Sequence, residues 1–118
     1  MILIVADDAN LSTIWARHIR RHGFEVSTVR SQAEAVDLMT HETPRAILMD
    51  LGLTNGSPIA IADFASYRCP KARVVFVSRD SFFSDGSLFK LMPNAAAHLN
   101  AATSPDDLAA IVEHYAAA

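Results

Sequence analysis

Three apolar stretches of this sequence each end on a small side chain that carries oxygen. "ILIVADD" ends on Asp7 and Asp8, "AILMD" ends on Asp50, and "VVFVS" ends on Ser78. Carboxylates that share one small cleft repel each other, and a divalent cation between them relieves the repulsion. Ligands that are all oxygen favour Mg²⁺ or Mn²⁺ over zinc, and a carboxylate beside such a cation is a competent nucleophile toward phosphorus. These residue types are therefore suited to forming an aspartyl phosphate, if the fold brings them together.

The elements that must bring them together are short buried strands. Their apolar runs are rich in Ile, Val and Leu and are not interrupted by polar alternation, which is typical of strands covered on both faces in a parallel sheet. The predicted strands are residues 2–5, 24–29, 46–49, 74–77 and, with the weakest signal, 95–99. Helical patterns separate them, so the fold class is α/β, with (βα)5 connectivity and a parallel sheet covered by helices on both faces.

Helix start signals support this alternation. "SQAE" at residues 31–34 has the form of a capping box, and Ser57 and Ser104 each precede a proline that suits the first helical position. The apolar face of the first predicted helix contains Trp15, which we expect in the core. The exception is the segment 79–93, where a central glycine and a final proline predict a helix that is short or broken.

Parallel strands end at the same edge of their sheet, and ligands bind beyond those ends where the strand order reverses. Asp7, Asp8, Asp50 and Ser78 are therefore expected together at one edge. A plainer interpretation applies to Asp7 and Ser78, because acids and serines after strands frequently cap the following helix. Asp50 fits that interpretation less well, because a loop continues from it to the next cap at Ser57. Composition and spacing alone predict a polar, cation-binding cleft.

Charge and cysteine content exclude several classes of protein. The 118 residues are 51% hydrophobic and 19% charged, a balance that fits one globular domain. A net charge of −3 with scattered arginines provides no basic face for nucleic acid. Cys69 is the only cysteine, which excludes an internal disulfide and fits a reducing compartment. No stretch approaches the ~20 apolar residues of a membrane span, and "MILIVADD" is not typical of a signal peptide. We therefore expect a cytoplasmic protein that does not bind a membrane.

The motifs resemble those of a response-regulator receiver domain of two-component signalling, over essentially the whole chain. The resemblance is carried by "ILIVADD", "HGFEV", "AILMDLGL", "ARVVFVS", and "AHL" followed by "TSPDDL". It implies a doubly wound, flavodoxin-like fold with strand order 2-1-3-4-5. It also implies that Asp50 accepts a phosphoryl group and that Ser78 contacts it. His98 corresponds to the aromatic switch residue of the fifth strand, although a histidine buried there is more often simply hydrogen-bonded.

The first departure from the family pattern follows the first strand. Receivers usually carry two adjacent acids there, whereas a gapless count back from "HG" places Ala6 at the first position and Asp7 at the second. Asp8 then occupies a third position, where an acid is optional. The resemblance therefore implies a Mg²⁺ or Mn²⁺ site formed by Asp7, Asp50 and the Gly52 carbonyl, with Asp8 as an optional ligand.

The second departure from the family pattern lies at the end of the fifth strand, where the family has a lysine followed by a cis-proline. Counting from His98 and from "SPDDL" places Ala101 and Ala102 at these two positions. That lysine normally pairs with the phosphoryl oxygens, and neither lysine of this chain replaces it by position. Arg79 is the nearest cation in sequence, although an exposed arginine that pairs with a neighbouring acid is the plainer interpretation.

Two functions from different classes remain open at this point. The first is a single receiver domain, residues 1–118 with no output domain, that takes a phosphoryl group from a histidine kinase or a histidine phosphotransfer protein. Such a regulatory phosphoacceptor is not an enzyme. Its expected surface for a downstream protein or for a second copy is residues 80–117, which include the aromatic stretch "SFFSDGSLFKLM". The second is a degenerate receiver that binds a partner without phosphorylation. A nucleotide- or flavin-binding protein is disfavoured, because no glycine-rich loop follows the first strand.

Overall fold

Strands and helices alternate along the chain in a computed structural model that describes residues 1–79 and 92–117. The five strands are β1 (Ile2–Val5), β2 (Val26–Val29), β3 (Ala46–Asp50), β4 (Arg73–Ser78) and β5 (Ala95–Asn100). The four helices of the described residues are α1 (Ala9–Arg20), α2 (Gln32–His41), α3 (Pro58–Arg68) and α4 (Pro105–Ala117). None of these four is both long and apolar enough to cross a membrane. The broken helix predicted within 79–93, and the aromatic stretch inside it, lie almost entirely outside the described residues.

All five strands are parallel and form one sheet in the order β2-β1-β3-β4-β5. The fold class and strand order that the sequence predicts are confirmed. The chain leaves β1 for the neighbouring edge strand and then returns past β1 to β3, so the strand order reverses between β1 and β3. In open α/β sheets this reversal creates the crevice in which ligands bind, at the carboxyl ends of the strands.

The pleat of each central strand divides its side chains between two cores. In β1, Leu3 and Val5 pack into one core, whereas Ile2 and Ile4 pack into the other, and all four are fully buried. Helices α2 and α3 cover the first core, and α1 and α4 cover the second. Because both faces are covered, neither face needs polar residues. This explains why the central strands appear in the sequence as unbroken apolar runs.

Helix α1 shows how the amphipathic pattern positions a helix against the sheet. Trp15, Ala16 and Ile19 are buried in the second core, while Arg17 and Arg20 are exposed. The prediction that Trp15 belongs to the core is confirmed, since its exposed fraction is 1%. Full burial of a large apolar side chain contributes roughly 1.5–3 kcal/mol relative to leaving it exposed. The docked face therefore fixes the start of α1 just beyond the end of β1.

The predicted helix caps are present with one difference in detail. The hydroxyl oxygens of Ser57 and Ser104 accept hydrogen bonds from backbone amides of the first helical turn, at 3.1 and 3.2 Å respectively. Ser31 accepts from the Glu34 amide at 3.1 Å. The Glu34 carboxylate, however, accepts from the Ser31 hydroxyl at 3.3 Å, in place of the return bond to the Ser31 amide. Only half of the capping box is therefore formed.

Candidate functional site

The carboxyl ends of β1, β3 and β4 surround a cavity of about 340 Å³. The residues that line it are Asp7, Asp8, Asp50, Leu51, Gly52, Ser78 and Arg79. Five of the six site residues that the sequence predicts therefore lie together, as the rule about strand ends requires. Among the described residues, the lining contains three acidic residues, one serine and one arginine, so the cavity is mainly acidic.

Asp50 is the last residue of β3, and its two carboxylate oxygens have different surroundings. Oδ1 accepts a hydrogen bond from the Gly52 amide at 2.8 Å. Oδ2 makes no hydrogen bond to any residue in the described part of the chain. A Cβ at position 52 would lie 3.2 Å from Asp50 Oδ1, so glycine allows the loop after β3 to fold closely over the carboxylate. One oxygen is thus held in place while the other remains available at the cavity.

Asp7 follows β1, and its carboxylate is held by the loop between β3 and α3. Oδ2 accepts from the Thr54 amide at 2.8 Å and from the Thr54 hydroxyl at 2.7 Å. Oδ1 is buried and has no hydrogen-bond partner among the described residues. A buried carboxylate oxygen without a partner is costly, and a cation would satisfy it. The surroundings of Asp7 therefore fit a cation ligand.

Asp8 caps helix α1, a role that the sequence suggested for its neighbour Asp7. Its Oδ1 accepts from the amides of Asn10 and Leu11, at 2.9 and 3.1 Å, and so caps α1. The N-cap interpretation considered for Asp7 therefore belongs to Asp8. Within the described residues no group of three His, Cys, Asp or Glu side chains is arranged to hold a metal. A cation here would rest on two carboxylates, a backbone carbonyl and water, which is common for Mg²⁺.

Ser78 ends β4, is only 4% exposed, and lies beside the end of β5. The register pairs Ser78 with Asn100, and the Ala101 amide donates to the Ser78 carbonyl at 2.9 Å. The backbone of residue 101 therefore lies next to Ser78, while its methyl group packs against the second core and does not line the cavity. Arg79 is exposed and is the only cationic side chain among the described residues that line the cavity.

His98 is the predicted site residue that does not line the cavity. It is half-buried in β5, paired in register with Phe76 and two residues before the strand ends. Its neighbours Ala97 and Leu99 pack against the second core, so His98 points to the opposite face of the sheet. The predicted switch role of His98 would have to act at a distance from the carboxylates.

Two residues near the site were missed by the sequence reasoning. Thr54 holds Asp7, but a threonine within a turn-rich loop carries no signal of such a contact. Arg30 directly follows β2, and its Nε donates to the Asp7 carbonyl at 3.1 Å. The rule that was applied to the ends of the other strands would have found Arg30, because β2 ends at the same edge of the sheet.

A second and larger cavity, of about 480 Å³, lies at the opposite edge of the sheet, between the α3–β4 loop and the end of α4. Its polar lining includes Arg45, Arg68 and Lys71. Arg68 donates to the carbonyl of Thr40 at 3.2 Å, near the end of α2. Cations at helix carboxyl ends are stabilised by the unpaired carbonyls there, so this charge has a structural explanation. The smaller, acidic cavity is therefore the candidate functional site.

The described chain has close structural neighbours of known class, although no family model and no curated protein matches its sequence. A CheY-like response regulator receiver domain protein from Methanospirillum hungatei JF-1 superposes with a TM-score of 0.86 at 22% identity, covering 98% of this chain and 92% of that one. The response regulator TrrA from Thermotoga maritima, in complex with Mg²⁺-BeF, has a TM-score of 0.80 at 19% identity, covering 97% and 96%.

A third neighbour is a response regulator protein from Burkholderia pseudomallei, solved with a phosphorylated aspartic acid, a calcium ion and citrate. Its TM-score is 0.83 at 21% identity, and the match covers 98% of this chain and 68% of that one. These likenesses, together with the strand order, define the class: the chain has the fold of a response-regulator receiver domain.

Proposed function

We propose that this chain is a receiver that accepts a phosphoryl group on Asp50 from a phosphohistidine donor. The observation that best supports this is the state of the Asp50 carboxylate at the cavity: the Gly52 amide holds Oδ1, and no residue in the described ranges 1–79 and 92–117 hydrogen-bonds to Oδ2. In the transfer, a bond forms between Oδ2 and phosphorus while the bond from phosphorus to the donor's imidazole nitrogen breaks. The electron pair of that broken bond stays with the nitrogen.

A divalent cation, Mg²⁺ or Mn²⁺, belongs to this proposal. Asp7, Asp50 and the Gly52 carbonyl would hold it, and Asp8 would add negative charge while it caps α1. When bound, the cation neutralises charge on the phosphoryl oxygens. The Ser78 hydroxyl is assigned to contact with the phosphoryl group, because it ends the strand next to Asp50. His98, farther along β5, is assigned the role of the switch residue.

The partners follow from the same proposal. The donor is a histidine kinase or a histidine phosphotransfer protein of the cytoplasm, and the signal leaves through contact with a downstream protein. The single receiver domain, residues 1–118, acts as a regulatory phosphoacceptor rather than as an enzyme. Of the proposed partner or dimer surface at 80–117, β5 and α4 belong to the described residues, whereas 80–91 lie outside them.

A second candidate, a degenerate receiver that binds its partner without phosphorylation, is favoured by one specific observation. Ala101, whose backbone amide is bonded to the Ser78 carbonyl, occupies the position where the resemblance implies a lysine that pairs with the phosphoryl oxygens. Ala6 likewise replaces one of the two expected acids after β1. Both changes remove charge that would assist transfer, yet Asp7, Asp50 and Ser78 are retained at the cavity.

Incubation with acetyl phosphate and Mg²⁺, followed by intact-mass and peptide mass spectrometry, separates the two candidates. The proposal expects the mass increase of one phosphoryl group, located on Asp50 and lost in Asp50→Asn. Asp63→Asn is the matched control, since Asp63 is exposed on α3 and remote from the cavity lining. A correctly folded native chain that gains no mass, even with excess donor, would overturn the proposal in favour of the degenerate receiver.

A further inference from the structure

Thr54 directs both of its hydrogen-bond donors to a single oxygen of Asp7. The amide nitrogen lies 2.8 Å and the hydroxyl oxygen 2.7 Å from Oδ2. Hydrogen bonds to an ionised acceptor are about twice as strong as neutral ones. Two of them on the same oxygen fix the carboxylate plane and decide which oxygen is left over. That remaining oxygen, Oδ1, is the buried one without a partner among the described residues.

We propose that Thr54 is a positioning residue for the cation site: by occupying Oδ2 it presents Oδ1 of Asp7 to the divalent cation. This inference rests on the proposed function, since it takes the cation site as given. It also couples the cation to the β3–α3 loop, because one carboxylate contacts both. The role differs from that of a ligand, since Thr54 acts through Asp7 and does not itself line the cavity.

The β3–α3 loop is anchored on both sides of Thr54, so the threonine is held in place independently of any cation. On one side the Gly52 amide donates to Asp50 at 2.8 Å. On the other side the backbone N–H of Gln32 donates to the Asn55 carbonyl, and the side-chain Oε1 of Gln32 accepts from the Ser57 amide, both at 2.9 Å. A preorganised loop reduces the ordering cost that ligand binding would otherwise carry.

A purely structural role for Thr54 makes a different prediction from a positioning role. If the contact only tied the loop to β1, its loss would lower the free energy of unfolding and leave cation affinity unchanged. If the contact positions Asp7, affinity falls, and a serine, which keeps the hydroxyl, restores it. Mutation of such an outer partner of a metal ligand typically costs about 10–100-fold in affinity.

The experiment measures Mn²⁺ affinity from the electron paramagnetic resonance signal of free Mn²⁺, in Thr54→Val, Thr54→Ser and the native chain. Thr54→Val keeps the amide bond and loses the hydroxyl bond, so we expect about a 10-fold weaker affinity, the lower end of that range. Thr54→Ser should bind as the native chain does. Thr13→Val is the matched control, because the Thr13 hydroxyl bonds only to the Ala9 carbonyl on the exposed face of α1.

The variant Asp7→Asn distinguishes failure of this inference from failure of the proposed function. Unchanged Mn²⁺ affinity in Asp7→Asn would show that Asp7 does not bind the cation, and both proposals about this cation site would then fail. Weak binding by Asp7→Asn together with native affinity in Thr54→Val would overturn the positioning role alone. A second readout needs no metal: exchange of the Thr54 amide hydrogen should be faster in Asp7→Asn than in the native chain, because its acceptor loses charge.

Discussion

The amide of Ala101 donates a hydrogen bond to the carbonyl of Ser78, with 2.9 Å between nitrogen and oxygen. The backbone of residue 101 is therefore adjacent to the end of β4, whose last residue, Ser78, lines the acidic cavity. This is the position at which the count from His98 and from "SPDDL" placed the missing lysine. The chain has a methyl group there, so any charge compensation must come from elsewhere.

Ala101→Lys should accelerate labelling of Asp50 by acetyl phosphate. The new ammonium group would offset charge on the phosphoryl oxygens, and a single electrostatic contact to developing charge can contribute about 100-fold or more. We expect at least about a 10-fold faster rate in the presence of Mg²⁺, since the lysine is mobile. Ala102→Lys, exposed one residue further on, is the control and should change the rate little. If the native chain is already labelled rapidly and Ala101→Lys is labelled at the same rate, another cation already offsets the charge on the phosphoryl oxygens.

Arg79→Gln tests whether that other cation is Arg79, which lines the cavity. Removing its charge should slow phosphoryl transfer several-fold, yet tighten Mn²⁺ binding, because an arginine repels a divalent cation at the same site. Opposite signs for the two measurements cannot arise from general loss of structure. Arg17→Gln, on the exposed face of α1, provides the reference. If neither the rate of phosphoryl transfer nor the Mn²⁺ affinity changes, Arg79 acts on neither the phosphoryl group nor the cation.

Among the described residues, two histidine–carboxylate pairs connect α1 and the turn that follows it to α4. His18 Nδ1 lies 2.7 Å from Asp106 Oδ1, and His22 Nδ1 lies 2.5 Å from Glu113 Oε2. The Asp106 side chain is 84% exposed, so solvent screens the first pair strongly. A double-mutant cycle on His18 and Asp106, followed by urea unfolding, should give a coupling below about 1 kcal/mol. A coupling well above that value would contradict the expectation that solvent screens the pair.

Cys69 makes the free energy of unfolding depend on pH in the alkaline range. Burial raises the pKa of its thiol above the ordinary value of 9.0, and the nearby Arg68 charge offsets part of that rise. The unfolded chain releases the thiol proton at lower pH than the folded chain. The stabilisation is therefore complete below pH 9.0 and is lost as the pH rises through the raised pKa. Urea unfolding across this range should show the decline, and Cys69→Ala should reduce it. A slope identical in both proteins would contradict this origin.

The strands were predictable where burial on both faces leaves a continuous apolar run, as in β1 and β3. At the sheet edges the signal was weaker. "FEVSTV" predicts a strand over 24–29, whereas β2 begins at Val26, and only Val29 of this edge strand is buried. The fifth predicted run, 95–99, is confirmed as β5 with one further residue, Asn100.

The site was predictable as a set of strand ends but not as a set of contacts. Strand topology alone brings Asp7, Asp50 and Ser78 to one edge. Which of the two acids after β1 caps α1 and which one bonds to Thr54 depends on where α1 begins. A shift of that start by one residue would exchange the two roles. The contact between Thr54 and Asp7 joins residues far apart in sequence through a loop conformation, which no local pattern encodes. The output surface expected at 80–117 stays a prediction.

The contact of Gln32 with the β3–α3 loop also limits which residues can replace a glycine of that loop. Gly56 has a φ of +133°, and a Cβ on it would collide with the Cβ of Gln32. Gly23 also has a positive φ, +91°, but a Cβ there would meet nothing within 4 Å. At position 23 only the backbone conformation disfavours a side chain, and asparagine tolerates positive φ better than other residues do. At position 56 both the backbone conformation and the contact with Gln32 exclude a side chain, so homologous chains that keep Gln32 should keep Gly56 more strictly than Gly23.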